Sequence, residues 1–235
     1  MKKDVKFDVI VATEAHLDYA EQIVEEMASS AKARGTGIAK RSPDYIRTKI
    51  REGKAVIALT KQGQWAGFCY IETWGHGQYV ANSGLIVNPA FRKYGLATKI
   101  KERIFKLSRQ KYPQALIFGL TTGLAVMKIN SSLGYRPVTY SELTDDEEFW
   151  AGCKSCVNYD ILMMKERKNC MCTAMLFVPP ELEKKQRKEE KQKRRQADKK
   201  DFAQNIKLYT RWMRMKQKIL LRQVKKHTPV LNLFY

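Results

Sequence analysis

The residues with the most distinctive chemistry form the run RKYGLA, which begins at Arg92 and directly follows the apolar segment LIVNPAF. Arg92 and Lys93 are cations next to Gly95 and Ala97, where a predicted strand gives way to a predicted helix. A helix N-terminus has unpaired N–H groups and a positive dipole end, so it attracts anions. Gly95 lets backbone approach a phosphate without a Cβ, and Thr98 adds a hydroxyl donor. We predict a pyrophosphate-sized anion site; the alternative is a surface helix with a basic first turn.

A second set of chemically capable residues is a group of four cysteines. Cys153 and Cys156 form one close pair, and Cys170 and Cys172 form another 13 residues further on. Two close pairs of thiols are the usual ligand set of a structural zinc site, so zinc is predicted here. The alternative is that they are free thiols that pack as small hydrophobes. The fifth cysteine, Cys69, stands alone, and an odd number argues against a disulfide framework.

The elements that must position these residues follow from the hydrophobic pattern. Helical spacing of apolar residues predicts helices over 14–33, 43–53 and 125–133, and another that RKYGLA begins and Tyr112-Pro113 ends. Short apolar runs predict strands at 7–12, 55–60, 65–74, 79–87 and 115–122, with further candidates near 134–138, 158–164 and 173–178. The short turns between 55 and 87 indicate an antiparallel meander. This order predicts an α+β fold, with a mostly antiparallel sheet flanked by helices.

Charge divides the chain into two parts. Of the formal net charge of +20, residues 181–235 contribute +12, from 18 Lys and Arg against 6 Asp and Glu. We therefore predict one domain over 7–178 and a basic helical tail over 181–235, whose second half, 202–224, has an apolar stripe. Nucleic acid and an anionic membrane surface are both suitable partners for such a tail, and a solvated charged helix is the alternative. We see no signal peptide or membrane span, and expect a cytoplasmic protein.

In this order of elements, R-x-x-G-x-A resembles the acetyl-CoA motif of the GNAT N-acetyltransferases, and the resemblance covers residues 7–178. It implies the GNAT fold, acetyl-CoA as co-substrate and acyl transfer from CoA to an amine. It also implies that the pantetheine arm pairs with the splayed strand before the motif, much as peptides add to sheet edges. The cofactor-binding residues that it implies are Ile86, Val87, Arg92, Lys93, Tyr94, Gly95, Leu96, Ala97 and Thr98.

Two further segments resemble the acetyltransferase domain of N-acetylglutamate synthase. One is GTGIAKRSPDYI, and the other is GLTTGLAVMKINSSLGYRPV, with Leu-Thr-Thr after a strand and Gly-Tyr-x-Pro-Val later. Glutamate has two carboxylates, and an Arg fork suits a carboxylate best. The resemblance implies Arg41 and Lys40 as ligands of an acceptor carboxylate, with Thr121 and Thr122 facing the cleft. The acceptor would then be a small amino acid, with glutamate first and arginine biosynthesis as its setting.

The chain also departs from this pattern. Many GNAT enzymes have a Tyr acid four residues before the Gly-aromatic pair, where this chain has Asn130, and an amide cannot act as an acid at neutral pH. The spacing from Leu-Thr-Thr to Gly-Tyr is longer than in N-acetylglutamate synthase. For the base that deprotonates the amine we name Glu72, on the central strand of the meander. The alternative is a charged residue on the solvent face of that strand.

Three functions therefore remain open. The first is acyl-CoA-dependent N-acylation of an amino acid, with acetyl or succinyl as the acyl group. The second is acetylation of a protein or ribosome-associated amine, and the third is a non-catalytic CoA-binding module with a nucleic-acid-binding tail. A homo-oligomer is compatible with each of them.

Overall fold

The computed structural model describes residues 5–34 and 40–226. The seven strands are β1 (Phe7–Val11), β2 (Ala55–Thr60), β3 (Trp65–Trp74), β4 (Tyr79–Val87), β5 (Leu116–Thr121), β6 (Arg136–Val138) and β7 (Thr173–Phe177). The α-helices are α1 (Ala20–Arg34), α2 (Pro43–Arg51), α3 (Leu96–Lys111), α4 (Leu124–Ser132), α5 (Glu147–Ala151), α6 (Tyr159–Met164) and α7 (Pro180–Lys226). Short 3₁₀ turns precede α1, α3 and α5 and follow α5, and one lies between β3 and β4.

The strands form one sheet in the order β1-β2-β3-β4-β5-β7-β6. Strands β2, β3 and β4 are the predicted antiparallel meander, and only β4 and β5 pair in parallel. The connection between this parallel pair carries α3, which is the crossover that a parallel pair requires. The α+β fold predicted from the sequence is therefore confirmed.

Helices cover both faces of the sheet, because alternate residues of each strand pack into different clusters. Val56 of β2 packs with Ile100 and Ile104 of α3 on one face. Its neighbour Ile57 packs with Ile23 of α1 and with α2 on the opposite face. A third cluster, built by β5, β7, α5 and α6, covers the other half of that second face.

Two local predictions were wrong. The segment 158–164, a candidate strand, contains α6, of which only Leu162 is buried. A short apolar run does not distinguish a strand from a helix by periodicity alone. The predicted helix 14–33 is divided into a 3₁₀ turn, Glu14–Tyr19, and α1. The predicted break at Gly35 to Gly37 lies outside the described residues.

The chain divides into two compact units, Met1–Pro180 and Glu181–Tyr235. The second unit consists of most of α7, a single helix that runs through both the charged segment 181–200 and the striped segment that follows it. The last nine residues of the predicted tail, 227–235, lie outside the described residues. Within 5–34 and 40–226, none of the helices has the length and hydropathy needed to cross a membrane.

Candidate functional site

The central feature of the first unit is a crevice between β4 and β5. These strands pair only from Tyr79 to Ala81, opposite Leu116 to Phe118. β4 continues to Val87 and stays paired with β3 on its other edge. From Asn82 onward, its edge toward β5 therefore has no ladder partner. Unpaired N–H and C=O groups on a strand edge accept an extended ligand by forming the missing hydrogen bonds.

A β-bulge in β4 shapes this crevice. Tyr70 of β3 pairs with Ser83 and Phe68 pairs with Ile86, so two β4 residues oppose the single residue Cys69. Gly84 is one of the two, and its φ is +65°, a left-handed conformation that favours glycine. A Cβ at Gly84 would lie 2.3 Å from the Tyr70 ring. A bulge bends its strand locally and is common next to binding sites.

The RKYGLA run follows β4 and opens α3, as predicted. Gly95 is the N-cap of α3, with φ +73°, and no side chain caps this helix end. Lys93 also has a positive φ, of 68°. Such turns form anion-binding concavities from successive N–H groups. A Cβ at Gly95 would meet no atom within 4 Å, so the space in front of this turn is open.

Arg92 has contacts of its own in this turn. Its Nη2 lies 3.0 Å from Oε1 of Glu26 and 2.9 Å from Oγ of Ser30, both on α1. Its Nε donates to the carbonyl of Val87 at 3.1 Å. Arg92 therefore ties the turn to α1, and an incoming phosphate would meet a guanidinium that is already engaged with a carboxylate.

The other predicted cofactor residues divide into buried and accessible ones. The side chains of Ile86 and Leu96 are buried in the core, so only their backbone groups remain for a ligand. Tyr94 packs edge-on against Phe7. Val87, Ala97 and Thr98 are partly buried, and Lys93 is exposed.

A buried ionic cluster lies on the α1–α2 side of the sheet and contains two of the predicted residues, Arg41 and Glu72. Oε1 of Glu72 accepts from Arg41 Nη2 at 3.3 Å and from the Tyr45 hydroxyl, and Oε2 lies 3.0 Å from Lys49 Nζ. Arg41 Nε also donates to the Tyr70 hydroxyl at 3.1 Å. Two cations and one carboxylate give this cluster a net positive charge, which favours an anionic ligand.

Burial and hydrogen bonding shift the pKa values of this cluster. Burial by itself lowers the Arg41 pKa, but Tyr70, Tyr45 and Glu72 outweigh it, and the pKa lies above its ordinary value. Burial raises the pKa of Tyr70 to about 12. Burial and the hydrogen bond to Glu72 raise the pKa of Tyr45 as well. Arg41 therefore stays charged and both tyrosines stay neutral at physiological pH.

The remaining predicted acceptor residues lie elsewhere around this face. The backbone N–H of Lys40 donates to Ser155 Oγ at 3.2 Å, which links the start of α2 to the segment after α5. Oγ1 of Thr121 accepts from the N–H of Gly123 at 3.1 Å and stabilises the turn into α4. Thr122 is exposed in that turn. The side chains of Arg41, a predicted acceptor ligand, and Glu72, the predicted base, are thus in direct contact.

Polar groups flank the apex of the crevice, where β4 and β5 stop pairing. On the β5 side, the amide of Asn130 lies next to Gly119, the first residue beyond the last pair. Asn130 is buried, its Nδ2 lies 3.7 Å from the Met175 sulfur, and its Oδ1 has no hydrogen-bond partner among residues 5–34 and 40–226. On the β4 side, the Tyr135 hydroxyl donates to Oδ1 of Asn82 at 3.1 Å. A tyrosine hydroxyl therefore reaches the apex from position 135.

A lysine lies in the same buried region. The Lys101 side chain is fully buried on α3, and its Nζ lies 5.6 Å from the centre of the Tyr135 ring. Burial lowers the Lys101 pKa, since desolvation disfavours the charged form. Asn82 Nδ2 also donates to Ser108 Oγ on α3, at 2.6 Å.

The sequence pattern did not predict this network. One signal for it was available, because Lys101 is a charged residue within the apolar face that Ile100 and Ile104 define. Its pairing with Tyr135 and Asn82 follows from the fold.

The zinc prediction is not supported. Within residues 5–34 and 40–226, no group of three or more His, Cys, Asp or Glu side chains is arranged to hold a metal ion. Cys153 and Cys170 instead pack against the aromatic cluster of α5. Burial raises the pKa of Cys153 to about 11 and that of Cys172 to about 12, which favours thiols over the thiolates that zinc requires. All four are free thiols, and Cys153 and Cys170 pack as small hydrophobes.

Comparison with solved structures identifies the fold. N-acetylglutamate synthase from Neisseria gonorrhoeae, solved with coenzyme A and N-acetyl-glutamate, is 14% identical over 75% of this chain, with a TM-score of 0.52. The Mycobacterium tuberculosis protein Rv2747, solved with CoA, is 18% identical over 73% of this chain, also with a TM-score of 0.52. The chain has the GNAT acetyltransferase fold. It matches 36% of the length of the gonococcal enzyme and 98% of that of the mycobacterial protein. No protein-family model and no curated protein matches the sequence.

Proposed function

We propose that the protein is an N-acyltransferase that moves an acyl group from CoA to the amine of a small amino acid. The observation that carries this proposal is the crevice between β4 and β5, with the open glycine turn of α3 following the end of β4. A phosphate-binding turn and an adjacent unpaired strand edge suit a ligand with a pyrophosphate at one end and an amide-rich arm. The fold shared with CoA-bound acetyltransferases supports the same ligand.

The acyl donor supplies a thioester carbonyl, and the chain's residues bind and orient it. The N–H groups at the start of α3 hold the pyrophosphate, with Lys93 and Thr98 beside it. The free edge of β4 between Asn82 and Val87 aligns the arm. The remaining requirement is to hold two substrates in one orientation, and positioning of this kind can supply much of an enzyme's rate enhancement.

The acceptor proposal rests on the ionic cluster. Arg41 uses Nε, one Nη1 hydrogen and one Nη2 hydrogen in contacts with Tyr70, Lys40 and Glu72. Since a guanidinium has five N–H groups, two remain for an acceptor carboxylate. The net positive charge of the cluster supports an acceptor with more than one carboxylate. Glutamate is therefore our first candidate, and arginine biosynthesis the setting that this acceptor implies.

Glu72 is better suited to orient Arg41 than to take a proton. Both of its carboxylate oxygens already contact cations or a hydroxyl, so each is occupied before an amine arrives. Replacing Glu72 with Gln separates the two roles. A rise in acceptor KM indicates orientation, whereas a fall in kcat with a changed acidic limb of the pH profile indicates a base.

The departing thiolate needs a proton or a positive charge nearby, and Asn130 provides neither. We assign this role to the Tyr135 hydroxyl at the apex, beside the buried amine of Lys101. Burial raises the pKa of this hydroxyl, so it is protonated when the thioester binds. When the amine attacks, the C–N bond forms, the C–S bond breaks, and the sulfur takes the proton of the Tyr135 hydroxyl. The proton that the amine loses passes to solvent, from which Tyr135 is protonated again. A preorganised hydrogen-bond donor in a buried site stabilises such a developing charge strongly.

The test is a thiol-release assay with the purified 235-residue chain. Acetyl-CoA and succinyl-CoA are each offered with a panel of amino acids that includes glutamate, glutamine, aspartate and lysine. We expect release with a dicarboxylic acceptor and saturation in both substrates. Release with a different amine class would overturn the acceptor assignment alone, and failure to bind any acyl-CoA by calorimetry would overturn the whole proposal.

A further inference from the structure

The second half of α7 differs in charge from every other long segment of the chain. Residues 202–226 contain eight Lys and Arg and no Asp or Glu. The first half of the helix, 180–201, has ten Lys and Arg but also six Asp and Glu, so its charges are mixed. The second half therefore has an unopposed positive charge.

The same segment exposes large apolar side chains. Ten apolar residues from Phe202 to Leu221 are exposed, and the exposed fraction of each ranges from 45% for Met213 to 68% for Phe202. Singly exposed apolar residues are ordinary, but a contiguous set of this size marks an interaction surface.

Helical spacing sorts the two kinds of residue onto different faces. Side chains three or four positions apart lie on one face of a helix. Nine of the apolar residues form two neighbouring rows, one with Phe202, Ile206, Tyr209, Met213 and Leu220, and one with Leu208, Trp212, Met215 and Ile219. The tenth, Leu221, is three residues from Lys218 and lies on the side of the cations. A cation row lies opposite the first apolar row and contains Lys207, Arg211, Arg214 and Lys218, all of which are exposed. Among the side chains that the structure describes in this segment, Lys216 is the only cation that lies between the two apolar rows. Its Nζ lies 5.0 Å from the centre of the Trp212 ring.

We propose that this segment docks on an anionic lipid membrane, lying in the plane of the interface. A helix with cations on one face and Trp, Phe and Leu on the other binds at the boundary of headgroups and acyl chains. Its cations contact anionic headgroups, its aliphatic rows enter the acyl boundary, and Trp and Tyr occupy the headgroup level. Lys216 reaches the headgroups with its long stem along the apolar face.

Two other partners fit these observations less well. A nucleic acid binds the cations through phosphates, and it would leave the aliphatic rows in water. A coiled coil with a second copy buries a narrow seam, whereas the two apolar rows together form a wider face. Only a surface that is both anionic and apolar engages all of these side chains at once.

The experiment measures co-sedimentation of the full chain with vesicles. One set contains equal parts of phosphatidylglycerol and phosphatidylcholine, and the other contains phosphatidylcholine alone. We expect binding to the anionic vesicles, weakening as salt is added, and a blue shift of tryptophan emission that disappears in Trp212→Phe. Of the other three tryptophans, Trp65 and Trp150 are buried and Trp74 is partly buried in the first unit, whereas Trp212 is exposed on α7 and serves as the reporter.

Three sets of substitutions separate the effect of the total charge from the effect of where the cations and apolar residues lie on the helix. The cation-row variant changes Lys207, Arg211, Arg214 and Lys218 to Gln, and the matched control changes Lys184, Lys188, Lys191 and Arg195 to Gln. Both remove four charges and keep good helix formers. The apolar-row variant changes Ile206, Met213 and Leu220 to Gln. We expect the cation-row and apolar-row variants to lose at least about tenfold in binding, and the control to lose less.

Several results would overturn the proposal. One is equal binding to the neutral and the anionic vesicles. Another is an equal loss of binding in the control and the cation-row variant, which would mean that only the net charge of the helix matters. A third is binding of single-stranded RNA that displaces the vesicles and survives the apolar-row substitutions. A fourth is a dimer, by light scattering, that the apolar-row variant dissociates. Because acyltransferase activity is measured separately, these outcomes do not bear on the proposed reaction.

Discussion

The Tyr135 hydroxyl donates a hydrogen bond to Oδ1 of Asn82 at 3.1 Å, although 53 residues separate the two in the chain. Asn82 is the first residue of β4 beyond its last pair with β5, so the hydroxyl lies at the apex of the crevice. Position 130, where the family resemblance implies a tyrosine acid, holds an asparagine on the opposite side of this apex. The fold therefore supplies a phenol to the apex from a different position.

Removing the hydroxyl tests its proposed role. We expect Tyr135→Phe to lower kcat by about tenfold to a hundredfold, with little change in the KM of either substrate, since the group acts on the departing thiolate. The loss also leaves Asn82 Oδ1 unpaired, at a cost of about 1–3 kcal/mol, so the unfolding free energy must be measured alongside. Tyr112→Phe, at the end of α3, is the control. A kcat equal to that of the wild type would remove Tyr135 from the mechanism.

Lys101 gives a prediction about pH and stability. Because burial lowers its pKa, the unfolded chain binds more protons than the folded one between the folded pKa and 10.5, and wild-type stability rises with pH across that window. Lys101→Met lacks this slope and should be more stable than the wild type at neutral pH but less active. Urea unfolding between pH 7 and pH 10 measures the slope, and Lys99→Met, exposed on the same helix, should keep it. Parallel slopes in wild type and Lys101→Met would contradict the prediction.

The acceptor assignment depends on the fork of Arg41. We expect Arg41→Lys to raise the acceptor KM by about tenfold to a hundredfold and to leave the acyl-CoA KM unchanged, because an ammonium cannot replace two parallel donors. Arg47→Lys is the matched control, since Arg47 pairs with Glu21 and Asp44 outside the cluster. Steady-state kinetics in both substrates measure the effect. Equal changes in the two variants would exclude Arg41 as a specific ligand.

The bulge in β4 should tolerate no side chain. Gly84→Ala combines a positive φ with a Cβ placed 2.3 Å from the Tyr70 ring, and we expect a loss of about 2–4 kcal/mol in unfolding free energy. Gly63→Ala is the control, because Gly63 also has a positive φ, of +81°, but open space around it. The unfolding free energy of the control should fall only by the cost of a left-handed alanine, about 1–2 kcal/mol. Denaturant unfolding compares them, and equal losses would mean that the contact with Tyr70 is unimportant.

The glycine at the start of α3 should matter for binding more than for stability. A Cβ at Gly95 meets no protein atom, so Gly95→Ala should cost only the left-handed backbone conformation, about 1–2 kcal/mol. The same Cβ points into the space that we assign to the pyrophosphate, and CoA should bind about tenfold more weakly. Calorimetric titration measures the affinity. Unchanged affinity in the folded variant would move the phosphate site away from this turn.

Several features of the protein follow from local sequence alone. The meander over 55–87 follows from alternating apolar runs and short turns, and the start of α3 follows from RKYGLA, since each depends on neighbours in the chain. The apolar stripe over 202–224 in the tail also follows from helical spacing. The segment 158–164 fits both a helix and a strand, so its local pattern was insufficient to predict which one forms. In the structure it contains a helix, with Leu162 as its buried residue.

Only the tertiary structure decided which distant side chains meet. The register of β3 places Glu72 against Arg41, Tyr45 and Lys49, so its side chain is buried and paired, in contrast to the alternative of a charge on the solvent face. The end of pairing between β4 and β5 and the packing of α3 and α4 bring Tyr135, Asn82 and Lys101 together. The spacing of the cysteines predicted a metal site, but Cys153 and Cys170 pack against the apolar cluster of α5. Residue spacing constrains contacts within a helix or a hairpin, whereas contacts across the sheet depend on strand order and register, which arise only when the whole core packs.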